Sequence, residues 1–310
     1  MYDNIDFKLK SLDVRNIDFL NETPKYFDVT GEHLFNGNNV ISGSLNGYKI
    51  TVSERGVNLT DGSLCKLFLN DNFQTLNRAD ARKAIEMLSD TLHLPFDKAT
   101  ISRIDIAQNF IVRHPTGVYF NHLGEYIYHQ RLEQPNGLYY TNPKSLSIFY
   151  DKLKEQKAKG QLIPELYKDR FTLRYEQRYK ARLKDTFQVE RVTGAMLYDE
   201  AFYMSIIDRW HKAYKEIKKI NDVSLNFDAM KTKRDLYTIG LASLINMQGG
   251  EIAILQQITE AQRKGELTKK QAYDLRHAIA EASHATVATT QSDVIQELNK
   301  KVDEAVKFYR

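Results

Sequence analysis

Apolar and polar residues alternate along the chain between residues 41 and 69, a pattern typical of half-buried β-strands. Two pairs, Asn46-Gly47 and Asp61-Gly62, interrupt the alternation, and both residue types readily adopt the positive φ angles of tight hairpin turns. The pattern therefore predicts an antiparallel meander. The single cysteine, Cys65, lies within this alternation and is predicted to be a core residue.

The periodicity becomes helical after Asn77, a residue type that favours the N-cap position. Asp80 follows in the first turn, where a negative charge is favourable. One apolar stripe with helical spacing then runs along the segment: Ala81, Ile85, Leu88 and Leu92. We expect this helix to end by Pro95, since proline cannot continue a helix.

Further strands are predicted downstream of this helix. Their approximate ranges are 100–112, 137–141, 145–150 and 171–183. The segment between the last two is basic and is predicted to be helical.

The periodicity is helical again after about Thr193. Thr268 and Gln271 form a capping box, Gly249-Gly250 marks a break between helices, and Ser292 caps a final helix. The chain therefore predicts an α+β protein. Residues 1–193 would form a domain built on an antiparallel sheet, and residues 194–310 an all-helical domain packed against it, for DNA binding or partner docking.

A polar face runs along the strand predicted at 100–112. Because alternate residues of a strand share a face, Arg103, Asp105 and Asn109 point one way and Ile104 and Ile106 the other. A carboxylate fixed on a rigid strand is suited to Mg²⁺ or Mn²⁺, which prefer oxygen ligands. The alternative is a structural Arg/Asp pair at the sheet surface.

A second strand repeats this arrangement, with Arg174, Glu176 and Arg178 on one face. Glu176 would lie opposite Asp105 if the two strands are neighbours. The alternative is that Glu176 only pairs with its flanking arginines.

Tyr150 ends an apolar run and precedes a charged cluster, which makes it a candidate nucleophile. A phenol with a pKa of about 10 is a poor nucleophile at neutral pH and needs a base or a cation to favour the phenolate. Lys152 is a candidate for that role. Strand parity argues against the assignment, because Tyr150 alternates in phase with Leu146 and Ile148 and would point into the core.

Several enzyme classes lack support because their sequence motifs are missing. The chain has no phosphate-binding Gly-x-x-x-x-Gly-Lys-Ser/Thr loop, no Gly-x-Ser-x-Gly, no His-Glu-x-x-His and no Cys-x-x-Cys, so an ATPase, a serine hydrolase and a zinc enzyme lack support. The N-terminal residues do not resemble a signal peptide, and no apolar run approaches the length of a membrane span. We expect a cytoplasmic protein.

The net charge of +4 is modest, but its distribution is uneven. Residues 144–191 carry thirteen lysines and arginines against seven aspartates and glutamates, with tyrosines and phenylalanines among them. Such a segment suits a nucleic-acid groove, where cations contact phosphates and rings stack on bases. The alternative is an ordinary solvated surface.

Three motifs resemble those of the rolling-circle replication initiators of plasmids and filamentous phages, namely the Rep_trans group and the phage gene II/X proteins. The sequence Arg103-Ile-Asp-Ile-Ala107 is similar to the family's Arg-x-Asp-x-Ala strand. Tyr150-Asp-Lys152, with Glu155 shortly after, resembles the nucleophile motif, and Arg174-Tyr-Glu176 resembles the Arg-x-Glu strand. The match covers about residues 40–185. Asn109 stands where the family often has a second aspartate.

The resemblance implies a metal-dependent enzyme that nicks and rejoins DNA, in which Tyr150 attacks a phosphodiester, releases a 3′-hydroxyl and stays linked to the 5′ end. Asp105 and Glu176 would hold Mg²⁺ or Mn²⁺, with Asn109 as a further ligand, and Glu155 would be a third ligand or a base. The DNA contacts would come from cationic side chains: Lys152, Arg103, Arg174, Arg178, Lys154 and Lys157.

Origin DNA, nicked as an exposed single strand, is the expected partner, with a host or plasmid helicase and a second copy of the chain as further candidates. Two alternatives stay open. A mobilisation relaxase would use the same chemistry at another DNA site. A non-catalytic DNA-binding regulator would use the basic segment and the C-terminal helices, and Tyr150 would then be a core residue.

Overall fold

A computed structural model describes residues 1–14, 16–220, 222–223, 230–284, 289–290 and 292–310. In these residues, ten strands form one antiparallel sheet with the order β2-β3-β4-β5-β1-β6-β10-β9-β8-β7. The strands are β1 (Tyr2–Lys10), β2 (Asp28–Phe35), β3 (Asn38–Leu45), β4 (Tyr48–Ser53), β5 (Gly56–Thr60), β6 (Thr100–Val112), β7 (Gln130–Gln134), β8 (Gly137–Thr141), β9 (Ser145–Asp151) and β10 (Phe171–Tyr179). A separate short ladder pairs β11 (Asp222–Val223) with β12 (Thr289–Thr290).

The helices described lie between the strands and dominate the C-terminal part. They are α1 (Phe19–Glu22), α2 (Leu64–Leu69), α3 (Arg78–Leu92), α4 (Thr116–Asn121), α5 (Lys152–Ala158), α6 (Leu183–Phe187), α7 (Glu200–Glu216), α8 (Lys233–Met247), α9 (Glu251–Arg263), α10 (Lys269–His284) and α11 (Asp293–Tyr309). The predicted α+β architecture, a large antiparallel sheet followed by helices, is confirmed. None of the helices within the described ranges is long and apolar enough to cross a membrane.

Several local predictions are confirmed with their physical causes. Asn46 and Gly47 have φ angles of 45° and 87° and form the turn between β3 and β4. Asn77 caps α3, and Asp80 completes a capping box with it. Thr268 and Gln271 likewise exchange hydrogen bonds at the start of α10.

The predicted meander is wrong at its end. Residues 64–69 form the helix α2, because the Ser63 side chain accepts a hydrogen bond from the Lys66 amide and so caps a helical turn. Asp61-Gly62 is therefore the connection from β5 into α2 and not a hairpin turn. A side chain at Gly62 would meet the ring of Tyr48 at 2.2 Å, so the residue allows a close approach. Cys65 is fully buried, as predicted.

The main core joins one face of the sheet to helices from both halves of the chain. Trp210 and Tyr214 of α7 and Leu298 of α11 belong to the same buried cluster as Phe7 of β1 and Phe149 of β9. Helices α8–α10 pack around a second, smaller cluster: Ile245, Ile258, Ala272, Ile279 and Ala282. The helical region thus contacts the sheet through α7 and α11, while the domain boundary at residue 193 stays a prediction.

Candidate active site

The three strands that carry the sequence motifs are neighbours in the centre of the sheet. Strand β10 pairs with β6 on one side and with β9 on the other. Arg174 lies opposite Asn109 of β6 and opposite Tyr150 of β9. The prediction that Glu176 lies opposite Asp105 is wrong in register, since Arg178 lies opposite Asp105 and Glu176 lies opposite Ala107. Residues directly opposite each other in antiparallel strands share a face. The pairing therefore brings the three motifs together on one face, called here the polar face.

The expectation that Tyr150 points into the core is wrong. Its neighbour Phe149 faces the core, where its ring stacks on Tyr175 with centroids 4.5 Å apart, and Tyr175 lies 4.9 Å from Trp210. Tyr150 is on the polar face and is partly buried. Ile148 is also on that face, opposite Glu176, so apolar residues occur on both faces and alternation alone does not identify the core side.

Asp105 is fully buried beneath two arginines. Arg103 Nε donates to Asp105 Oδ1 at 2.9 Å, and Arg178 Nε lies 3.2 Å from Asp105 Oδ2. Arg178 Nη2 also donates to Glu176 Oε1 at 2.8 Å. The carboxylates of Asp105 and Glu176 therefore share one guanidinium group. Burial raises the pKa of Asp105, and the hydrogen bond from Arg103 opposes that shift.

Arg174 is the buried centre of the polar face. Its Nη1 donates to the Asn72 carbonyl at 3.0 Å and to Asn109 Oδ1 at 3.1 Å, and its Nη2 pairs with Asp3. Its Nε lies 3.6 Å from Glu176 Oε2. The guanidinium is thus surrounded by oxygen atoms from four parts of the chain.

Asn109 holds the turn that covers this face. Its Nδ2 donates to the carbonyls of Asn72 and Phe73 at 3.1 and 2.7 Å. Its side-chain oxygen already accepts from Arg174. The amide group is therefore fully engaged in fixing the turn and the arginine.

The Tyr150 hydroxyl forms no hydrogen bond with any of the residues the structure describes. Burial raises the pKa of Tyr150 well above its ordinary value, and the positive charge of Arg174 opposes that shift. At neutral pH the side chain is consequently a phenol. A substrate would displace no hydrogen bond of this oxygen within the described residues, and Arg174 favours its ionisation.

The position of Tyr150 depends on where strand β9 ends. The Asp151 side chain accepts hydrogen bonds from the amides of Leu153 and Lys154 and so begins α5 directly after the strand. Thr116 of α4 donates to the other carboxylate oxygen of Asp151 at 3.1 Å. Tyr150 is therefore held one residue before a capped strand-to-helix junction.

Lys152 and Glu155, the other predicted catalytic residues, meet in the first turn of α5. Lys152 Nζ donates to Glu155 Oε2 at 2.9 Å and to Asn72 Oδ1 at 2.8 Å. Burial, followed by the charge of Arg174, lowers the pKa of Lys152 to about 8. Burial alone would raise the pKa of Glu155, but Lys152 and the hydrogen bonds from Lys159 and Gln156 outweigh it and lower the pKa to about 2. Glu155 is therefore a weak proton acceptor that holds Lys152 in place.

The predicted DNA contacts differ in exposure. Lys154 and Lys157 are exposed, and Arg103 and Arg178 keep part of their side chains at the surface. Lys152 and Arg174 are buried. The four residues at the surface are thus available to a polyanion, whereas the two buried cations act within the polar face.

The donor set suits a divalent cation that binds together with a substrate. Asp105 and Glu176 supply hard oxygen atoms on adjacent strands, but each is already held by two arginines: Asp105 by Arg103 and Arg178, and Glu176 by Arg174 and Arg178. Across the described ranges, no group of three or more His, Cys, Asp or Glu residues is placed to hold a metal by itself. Mg²⁺ is usually held by one or two carboxylates together with phosphate and water. The two carboxylates are the ligand types of that mode, whereas the side-chain oxygen of Asn109, predicted as a further ligand, already accepts a hydrogen bond from Arg174.

Two residues of the site were missed by sequence reasoning. Asp3 of β1 pairs with Arg174 and accepts from Ser63 Oγ at 2.6 Å, and Asn72 binds both Arg174 and Lys152. The alternation of Ile5, Phe7 and Leu9 was a signal for β1. Nothing local indicates that β1 lies beside β6, so the role of Asp3 depends on tertiary structure.

A family model that describes the N-terminal region of the phage replication-associated gene II protein matches residues 1–198, and no curated protein matches the chain. The matched range covers more than half of the chain and includes Asp105, Tyr150 and Glu176. It confirms the resemblance to the phage gene II-type replication proteins and supports a role in the initiation of replication. The chain belongs to the family of phage replication-associated proteins of the gene II type.

Proposed function

We propose that this protein initiates rolling-circle replication by nicking one strand of origin DNA with Tyr150 as the nucleophile. The observation that carries the proposal is the position of the Tyr150 hydroxyl. It lies on the polar face beside Arg174 and has no hydrogen-bond partner among the described residues. Glu176 is on the adjoining strand β10, and Asp105 is on β6, the strand beyond it.

The proposed reaction conserves the energy of the broken bond. The Tyr150 oxygen forms a bond to the scissile phosphorus while the bond from phosphorus to the 3′-oxygen breaks. The phenolic proton is lost, and the leaving 3′-oxygen takes up a proton to become a free hydroxyl. The protein stays joined to the 5′-phosphate, so the reverse transesterification rejoins DNA without ATP, in accord with the missing phosphate-binding loop.

The charges around Tyr150 suit this step. Arg174 favours the phenolate, because a positive charge next to an ionising group stabilises its anion. The buried carboxylates, Asn72 and Asn109 fix the direction of that guanidinium. The exposed side chains of Lys154 and Lys157 and the partly exposed Arg103 and Arg178 would contact DNA phosphates.

Asp105 and Glu176 would hold the divalent cation, Mg²⁺ or Mn²⁺. When bound, such an ion polarises the scissile phosphate and neutralises the charge that develops on it. Because Arg178 contacts both carboxylates, we expect this side chain to move toward a DNA phosphate when a cation and substrate bind.

Conversion of supercoiled origin DNA to open circles tests the proposal. Wild type with Mg²⁺ or Mn²⁺ should produce open circles, and Tyr150→Phe should lower the rate by a factor on the order of 10³ or more, because it removes the attacking oxygen. Tyr139→Phe is the matched control. Tyr139 lies on the same face, opposite Ile148. The Tyr139→Phe protein should nick at the wild-type rate.

If Tyr150→Phe nicks at the wild-type rate, Tyr150 is not the nucleophile. If wild type binds the origin but nicks under none of these conditions, the protein is a DNA-binding regulator.

A further inference from the structure

The segment between α5 and β10, residues 159–170, carries two leucines into solvent. Leu162 is 94% exposed and Leu166 is 60% exposed. The chain leaves the sheet after Asp151, passes through α5 and then this loop, and returns to the sheet at Phe171. Asp151 lies opposite Leu173, next to the Arg174–Tyr150 pair. The exposed leucines therefore lie on the loop that connects the two strands nearest to the nucleophile.

The loop is fixed at both ends. Lys66 Nζ of α2 donates to Gln161 Oε1 at 3.0 Å, and the Gln161 amide donates to the Gln156 carbonyl at 3.0 Å. The ring of Tyr167 packs on Phe73 with centroids 4.6 Å apart. Phe73 belongs to the turn that Asn109 holds against the polar face. The leucines thus project from an anchored loop tied to the site.

Charge indicates the kind of surface that would cover these leucines. Exposed cations flank them on both sides, with Lys157 and Lys159 before and Lys168 and Arg170 after, against the exposed acids Glu165 and Asp169. Lys159 and Lys168 are paired with Glu155 and Glu165, so among the described residues the unpaired positive charge comes from Lys157 and Arg170. Apolar side chains flanked by net positive charge suit a partner with flat apolar surfaces and a dense negative charge. Base pairs exposed at a step of duplex DNA have both properties.

We infer that the 159–170 loop is a wedge that separates the DNA strands beside the cleavage position. Leu162 and Leu166 would contact an unstacked base step while the flanking cations bind the two backbones. This inference rests on the proposed nicking function, since an exposed single strand must reach Tyr150. The wedge would supply that strand at a duplex junction.

The probe is a forked oligonucleotide duplex with a single-stranded tail and 2-aminopurine at the first paired position, whose fluorescence increases when it unstacks. All proteins carry Tyr150→Phe, so that no cleavage interferes and the readout does not depend on the nucleophile. The test variant adds Leu162→Ala and Leu166→Ala. The matched control adds Leu12→Ala, because Leu12 is 93% exposed but follows β1 at the opposite end of the central strands.

We expect the fluorescence increase at saturating protein to fall about fivefold or more in the double variant and to stay unchanged in the control. Affinity for the isolated single-stranded tail should stay within about twofold, because cations and rings dominate that contact. Circular dichroism should be unaltered, since both leucines are exposed.

Equal fluorescence increases in all three proteins would overturn the wedge. So would a double variant whose affinity for the single-stranded tail falls as much as its affinity for the forked duplex. The loop is a membrane contact instead if the double variant loses binding to phosphatidylserine vesicles and keeps the full fork signal. If the wild type fails to nick, the proposed function is wrong. The fluorescence measurement still tests the wedge in that case, because it does not depend on cleavage.

Discussion

Phe149 and Tyr150 are consecutive residues of one strand, yet they face two different environments. Phe149 is fully buried in a stack of rings that continues through Tyr175 to Trp210 of α7. Tyr150 lies among arginines, carboxylates and amides, and its hydroxyl is without a hydrogen bond to the described residues. The apolar face attaches the helices to the sheet, whereas the polar face orients charges.

The two faces also differ in their contribution to stability. Burial of large rings stabilises a fold in proportion to the apolar area removed from water. Burial of ion pairs such as Arg174 with Asp3 carries a desolvation cost that the pairing only partly offsets. The ion pairs of the polar face therefore serve to position its side chains more than to stabilise the fold.

The largest expected effect on stability is at Phe149. Phe149→Ala should lower the free energy of unfolding by about 3–5 kcal/mol, because it removes a buried ring and leaves a cavity. Tyr150→Phe should change it by less than about 1 kcal/mol, since it removes a hydroxyl that bonds to none of the described residues. Urea unfolding of the two variants compares the faces directly. Similar losses in both would contradict the distinction.

A smaller effect is expected from the titration of Lys152 on the polar face. Its pKa is lowered to about 8 in the fold, against about 10.4 in the unfolded chain. Between these two pKa values the unfolded chain binds more protons than the folded protein, so the free energy of unfolding rises with pH. The contribution of Lys152 to stability is fully present above about pH 10.4, its pKa in the unfolded chain, and is lost as the pH falls through about 8, its pKa in the folded protein.

Unfolding free energies of wild type and Lys152→Met should therefore diverge between about pH 7 and about pH 10.5. We expect the wild type to gain roughly 1–3 kcal/mol relative to the variant over this range. A difference that is independent of pH would show that Lys152 is not held in a desolvating site.

The smallest effect concerns the exposed cations. Lys154→Gln with Lys157→Gln should reduce the slope of log K against log salt for single-stranded DNA by about 1.4, at about 0.7 per phosphate contact. Lys300→Gln on α11 is the control, because that side chain is also exposed but belongs to a helix packed on the other face. An unchanged slope in the double variant would show that α5 does not contact DNA.

Much of the fold could be predicted because local signals agreed with the final structure. The strand at 100–112, the strand at 137–141 and the helix after Asn77 carry clear periodicity and capping residues. Residues 64–69 were misassigned because a short apolar run fits either a strand or a helix, and the Ser63 cap decided the outcome.

The candidate site was predictable in its residue types but not in its arrangement. Strand periodicity placed Arg103, Asp105 and Asn109 on one face; the pairing with β10 confirms this for Asp105 and Asn109, and the hydrogen bond from Arg103 to Asp105 confirms it for Arg103. It could not show which face of β9 is the core, because both faces carry apolar residues in that strand. The contact of Asp3 with Arg174 joins residues 171 positions apart, which no local pattern encodes.

A covalent protein–DNA adduct would identify the nucleophile. Wild type should be incubated with Mg²⁺ or Mn²⁺ and an end-labelled origin strand, denatured and digested, and the modified peptide identified by its mass. We predict one denaturant-resistant adduct on the peptide that contains Tyr150. Tyr140 is an unsuitable acceptor, since it is buried and its hydroxyl donates to the carbonyls of Leu123 and Gly124. Modification of Tyr139 instead, or nicking without any adduct, would contradict the account.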